Sequence, residues 1–214
     1  MLTRHAFVWL ALLTSLAAVV PSPAQARGIV GEPAPAFTAT DTSGQTRQLS
    51  DFQGKYVVLE WFNPSCPFTR KHYNSGNMQG LQKEFTARGV VWLSLNANER
   101  TNLFYLSPPK LARWTAKQSA APTATLMDEE GTVGRTYSAR VTPHMFIVNP
   151  QGTLIYAGGI DSIASSRMED IPAATNYVRQ GLNEALAGKP LTAPVTRPYG
   201  CPIKYKSSHD LYPE

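Results

Sequence analysis

Tyr56-Val57-Val58-Leu59-Glu60-Trp61-Phe62-Asn63-Pro64-Ser65-Cys66-Pro67-Phe68-Thr69 is the stretch from which the fold can be read. Its run of Val, Leu and aromatic residues, set between Gly54-Lys55 and Asn63-Pro64-Ser65, predicts a buried strand ending in a tight turn. Cys66 then falls where a helix begins. Pro67 suits the first helical position, because its missing N–H would have found no partner there and its fixed φ is already helical. A thiol at that point faces free backbone N–H groups and the positive end of the helix dipole. Both favour the thiolate, the form that attacks disulfides and peroxides and binds soft metals.

Outward from this stretch, alternating strand and helix signals fill the chain. Strands are expected over residues 37–40, 90–95, 123–127 and 145–148, the last joined through Asn149-Pro150-Gln151-Gly152 to another over 153–157. The helix after Cys66 is expected to reach about residue 88, with Gly89 closing it and Gly76 or Gly80 marking a kink or irregular loop. Further helices are expected over residues 110–118, with Ser107 as cap, and over 172–186, where Tyr177, Val178, Leu182, Ala185 and Leu186 make an apolar stripe. Asn96, at a strand end, is a candidate pocket residue. His72 reads as a solvated helix residue and His144 as a strand-start residue beside the cleft. Residues 191–214 form a proline-rich tail whose Tyr199, Cys201, Ile203 and Tyr205 would be out of place in a disordered segment. We therefore expect the tail to fold back and bring Cys201 toward Cys66.

Arg4, the apolar run 6–20, Pro21, Pro23 and Ala24-Gln25-Ala26 have the parts of a secretory signal peptide cleaved after Ala26. The run is shorter than the roughly 20 apolar residues of a membrane span. The expected address is therefore periplasmic or secreted, with no stable membrane insertion after cleavage. The division that follows is 1–26 signal peptide, 27–190 one domain and 191–214 tail. Lys and Arg total 20 against 15 Asp and Glu, scattered apart from Arg70-Lys71-His72. Neither a basic run nor a nucleic-acid module appears, so no nucleic-acid partner is expected. Phosphate-cradling glycines are absent as well, and no cofactor is expected.

Trp61-Phe62-Asn63-Pro64-Ser65-Cys66-Pro67 resembles the active-site strand, turn and helix of the thioredoxin superfamily, and Val141-Thr142-Pro143-His144-Met145-Phe146-Ile147-Val148 resembles its cis-proline strand. With Gly31-Glu32-Pro33-Ala34-Pro35-Ala36-Phe37 at the front, an opening of the redoxin and peroxiredoxin branch, the resemblance spans roughly residues 29 to 190. It implies an α/β thioredoxin-like fold: a central mixed β-sheet flanked by helices, here followed by an ordered C-terminal tail. Thr69 stands where the second active-site cysteine would fall, and Asn63 where a peroxiredoxin carries Thr. The chain thus resembles a peroxiredoxin-like (AhpC/TSA-type) group that keeps one cysteine of the pair and has a similar Gly-Cys tail motif. In such a fold a cis Thr142–Pro143 bond turns the Thr142 backbone toward Cys66, so that an extended substrate can pair with it.

Cys66 and Cys201 are the only cysteines. They read either as a structural staple for the tail or as a nucleophile with its resolving partner. The favoured reading is an exported thiol oxidoreductase with Cys66 as nucleophile and Cys201 as resolver. Thr142, Pro143 and Asn63 would bind substrate, and Thr69 and Arg70 would support the thiolate. Its partner would be a thiol or disulfide protein. One alternative is a peroxiredoxin-like thiol peroxidase acting on a peroxide. Another is a non-catalytic structural or copper-handling protein using Cys66, Cys201 and His72, His144 or Met145; no metal site is assigned.

Overall fold

A computed structural model describes residues 28–206. The expected signal peptide, residues 1–26, lies outside the described residues.

The central strand is β3 (Val57–Trp61), buried along its whole length. Beside it run β4 (Val91–Asn96) and then β5 (Ala124–Met127), both parallel. On its other side lie β7 (His144–Val148) and then β8 (Leu154–Gly158), each antiparallel to its neighbour. β1 (Thr38–Asp41) and β2 (Thr46–Gln48) extend the β5 edge in antiparallel fashion. The result is a seven-stranded mixed sheet in the order β2-β1-β5-β4-β3-β7-β8. Successive residues of a strand face opposite ways, so β3 serves two cores. Val57, Leu59 and Trp61 join one with Leu93, Leu126, Tyr137 and Phe146. Val58 joins the other with Trp92, Ile147, Phe85, Val178 and Leu182. A strand with both faces covered shows a near-continuous apolar run instead of alternation, which is how β3 and β4 read in sequence, broken only by Glu60 in β3 and by Ser94 and Asn96 in β4.

Helices cover the second core: α1 (Pro67–Asn74), α2 (Asn77–Thr86), α3 (Pro108–Lys117) and α5 (Tyr177–Leu186), while the short α4 (Thr132–Thr136) lies against the first. The expected long helix after Cys66 is two helices, because Gly76 sits at φ +76°, a conformation only glycine adopts without penalty. The helix expected from residue 172 begins instead at Tyr177. Pro172 belongs to a short 3-10 helix (Met168–Ala173), Ala174 is extended, and the Asn176 side chain caps the α-helix by accepting the Arg179 N–H at 2.9 Å. Ser107 precedes α3 as expected but makes no side-chain capping bond. No described helix is long and apolar enough to cross a membrane.

Glu60 is the polar exception on β3, fully buried between sheet and helices. Burial pushes its carboxyl pKa up, and four donated hydrogen bonds oppose that: from Tyr73 at 2.9 Å, Gln82 at 3.2 Å, Trp92 Nε1 at 2.9 Å and Ser94 at 2.8 Å. Removing the acceptor leaves the Tyr73, Trp92 and Ser94 donors buried without a partner, while the Gln82 amide keeps only its bond to Tyr73 at 3.3 Å. Glu60→Ala should therefore destabilise the fold by about 3 kcal/mol or more, read from the urea unfolding midpoint.

Candidate active site

The turn from β3 to α1 is built by Asn63. Its carbonyl accepts the Cys66 N–H at 2.9 Å, its Oδ1 accepts the Ser65 N–H at 2.9 Å, and its own N–H reaches the Thr69 hydroxyl at 3.5 Å. Asn-type side chains favour such turns because they bond the backbone two residues on. Cys66 is the N-cap residue of α1, with Pro67 at the first helical position. The residue is 1% exposed. Asn96 is fully buried, its amide donating to the Phe62 carbonyl at 3.1 Å, so it ties β4 to the turn and does not line an open pocket.

Opposite the turn, the Thr142–Pro143 bond is cis, as the resemblance implied. Cys66 Sγ donates to the Thr142 carbonyl at 3.0 Å. Thr142 belongs to β6 (Val141–Thr142), and its pairing partner is the tail. β9 (Cys201–Pro202) runs antiparallel to it, with Thr142 opposite Cys201 and Val141 opposite Pro202. Gly200 makes this approach possible: at φ +146°, a Cβ there would collide with the Thr142 carbonyl. The edge of Thr142 expected to carry an extended substrate is thus taken by the chain's own residue 201.

A buried polar cluster holds the tail just before Cys201. Lys71 Nζ donates to Asp161 Oδ2 at 3.1 Å, to the Ile163 carbonyl at 3.1 Å and to the Tyr199 hydroxyl at 3.2 Å, which uses all three of its protons. Tyr199 in turn donates to Asp161 Oδ1. His72 Nδ1 takes a bond from the Asn77 amide at 2.8 Å, which leaves Nε2–H to meet the Tyr199 hydroxyl at 3.2 Å. His72 is therefore not the solvated residue its sequence suggested. Burial lowers its pKa to about 4, the Asp161 charge opposing and the Lys71 charge assisting, so the imidazole is neutral and Lys71 is the cation facing Asp161. His144 is likewise buried in β7, with a pKa lowered to about 3 by burial and then by the Arg140 charge, and its Nδ1 accepts the Arg140 N–H at 3.2 Å.

The expected support from the side chain of Arg70 is not seen. Its backbone N–H continues the helix by donating to the Cys66 carbonyl at 2.9 Å, while its side chain is exposed. Thr69 is buried, but its hydroxyl serves the Asn63 turn, and it is the Thr69 backbone N–H that acts on the sulfur.

A family model described as the AhpC/TSA family matches residues 30–157. The chain belongs to the AhpC/TSA family. Among curated proteins, the chain is similar to a protein from Bacillus subtilis named thiol-disulfide oxidoreductase ResA, 27% identical over 126 residues. That match covers 58% of this chain and spans only 64% of the relative's length. Among solved structures, an uncharacterized conserved protein from Geobacillus kaustophilus superposes with a TM-score of 0.72 at 23% identity, over 85% of this chain and 94% of the other. A hypothetical protein from Sinorhizobium meliloti gives 0.71 at 18% identity, over 84% and 96%. These likenesses establish the α/β thioredoxin-like fold.

Within this AhpC/TSA chain the two sulfurs are electrostatically unequal. Burial alone would raise the Cys66 pKa, but the polar surroundings of the sulfur, the Cys201 thiol, the Thr142 side chain and the Thr69 and Cys201 backbone N–H groups, outweigh it and hold the pKa below the usual thiol value. Cys201 goes the other way. Burial, donation of its proton to Cys66 and the Cys66 charge push it up to about 12. The Thr142 hydroxyl is buried and makes no hydrogen bond among the described residues, so it is free to turn to a thiolate. Thr142→Val should raise the Cys66 pKa by about 1, because a hydrogen bond to a charged group is worth roughly 1.5 kcal/mol or more. Cys201→Ala should raise it as well. Ultraviolet thiolate absorbance across a pH series checks both.

Proposed function

We propose that the chain is a thiol-disulfide oxidoreductase whose Cys66 and Cys201 cycle between two thiols and one intramolecular disulfide. The observation that carries this reading is the placement of the Cys201 thiol against the Cys66 sulfur by β6–β9 pairing, with one sulfur favouring the thiolate and the other the thiol. Cys66 supplies the nucleophile and Cys201 the second sulfur, without which a mixed disulfide could not be released. Thr142 and the Thr69 backbone N–H stabilise the thiolate, and Pro143 fixes the backbone that presents Thr142. Over one reductive turn the protein disulfide gains two electrons and two protons, and two partner thiols become a disulfide. Similarity to a protein named as a thiol-disulfide oxidoreductase supports the reaction class.

Membership of the AhpC/TSA family keeps a peroxidase reading in view, but the Asn63 side chain is engaged in the turn and with Asn98 at 3.5 Å. Among the described residues, no group of three or more His, Cys, Asp and Glu side chains is arranged to hold a metal. We further infer export to the periplasm or beyond from the pattern of residues 4–26.

Mass spectrometry after alkylation, across dithiothreitol and glutathione redox buffers, tests the reading. The expected result is interconversion of two free thiols and one Cys66–Cys201 bond at a potential above about −300 mV, abolished in both Cys66→Ser and Cys201→Ser. A bond that stays closed well below that range would make Cys201 a staple. Peroxide consumption by the same protein, lost in Cys66→Ser, would favour the peroxidase.

A further inference from the structure

The same tail that supplies Cys201 also closes the site, and this sets which partners can reach the pair. Cys66 is 1% exposed, whereas Cys201 is only partly buried. The cover is built into the domain. The Tyr205 ring lies where a Cβ on Gly131 or Gly134 would stand, Thr196 occupies the corresponding space at Gly158, and the Tyr205 hydroxyl donates to the Ala139 carbonyl at 2.8 Å. The Ile203 N–H donates to the Arg140 carbonyl at 2.9 Å and the Ala157 N–H to the Pro194 carbonyl at 3.1 Å, so the tail is bonded to the domain on both sides of residue 201. The buried Lys71, Asp161 and His72 cluster fastens Tyr199 between these points. Strand addition, the usual way a thiol protein reads an extended polypeptide, needs a free backbone edge. At Thr142 that edge is already paired. Beside Gly200 there remains an open cleft of about 510 Å³, bordered by Val141, Asp161, Tyr177, Arg197 and Tyr199, a size suited to a small molecule.

We propose that the Cys66–Cys201 disulfide exchanges with small thiols that attack at Cys201, and does not read extended polypeptides along Thr142. This rests on the exchange reading above. In the reductive step a thiolate RS⁻ attacks Cys201 Sγ. The RS–Cys201 bond forms as the Cys66–Cys201 bond breaks, and the electron pair leaves on the Cys66 sulfur. A second RS⁻ then attacks the outer sulfur of the mixed disulfide, giving RSSR and a Cys201 thiolate that takes a proton from solvent. Two small thiols are oxidised and the protein is reduced by two electrons.

The test uses the oxidised full-length chain. It is mixed with reduced glutathione, quenched in acid and mapped by peptide mass spectrometry, with about tenfold or more of the trapped glutathione expected on Cys201 rather than Cys66. In parallel, an extended single-cysteine peptide and its backbone N-methylated form should reduce the protein at equal rates, since neither finds an edge to pair with. Adduct chiefly on Cys66, or a peptide slowed about tenfold or more by N-methylation, overturns the proposal while leaving the exchange reading intact. Failure of any Cys66–Cys201 bond to form under oxidising buffers overturns both.

Discussion

The pairing of residues 201–202 with 141–142 is the contact on which the site depends. Without it the chain has one cysteine at a helix start, lacking a second sulfur and a cover. With it, a sulfur more than a hundred residues away in sequence is brought against Cys66 by two backbone strands of two residues each. So short a ladder is weak by itself. It holds because Tyr199, Ile203 and Tyr205 are anchored on the domain around it.

Two buried polar clusters show how the fold treats titratable side chains. Glu60 is met only by neutral donors, four of them, and ties the sheet to α1 and α2. Lys71 and Asp161 form a buried ion pair with every Lys71 proton used. Such pairs contribute little net stability against their desolvation, yet breaking one is costly. Their effect is on geometry: Lys71 and Asp161 hold each other where both meet the Tyr199 hydroxyl. The division of proton affinity between Cys66 and Cys201 follows from the same contact, since one thiol donating to another lowers the acceptor's pKa and raises its own.

The sheet was legible because β3 and β4 show near-continuous apolar runs and the turns carry Gly, Asn and Pro where backbone geometry requires them. Pro67 after Cys66 marked the start of α1, and the aromatic residues around Cys201 marked an ordered tail. The polar lock was not legible. His72 reads as a solvated helix residue, and nothing in the sequence marks Lys71 as buried, since charged residues are seldom buried without partners. The partners of Lys71 and His72 lie at Asp161 and Tyr199, and that juxtaposition comes from the folded topology. Arg70 was expected at the sulfur because it lies one turn from Cys66, but at the first turn of α1 the thiolate is met by backbone N–H groups and the tail, leaving the Arg70 side chain outside. The Pro172 start failed for a local reason: a 3-10 turn and an extended Ala174 separate it from the Asn176 cap.

The central claim is that the tail docks through noncovalent contacts and that this docking sets the sulfur pair. Hydrogen exchange of the fully reduced protein tests it most directly, followed at the Ile203 and Thr196 amides, which donate to the Arg140 and Ala157 carbonyls. The account predicts protection of at least about a hundredfold over unstructured chain with both thiols free, since exchange must await opening of the docked tail. Exchange at the unstructured rate until the disulfide closes would contradict it, and would make the bond the cause of the tail's position instead of its consequence.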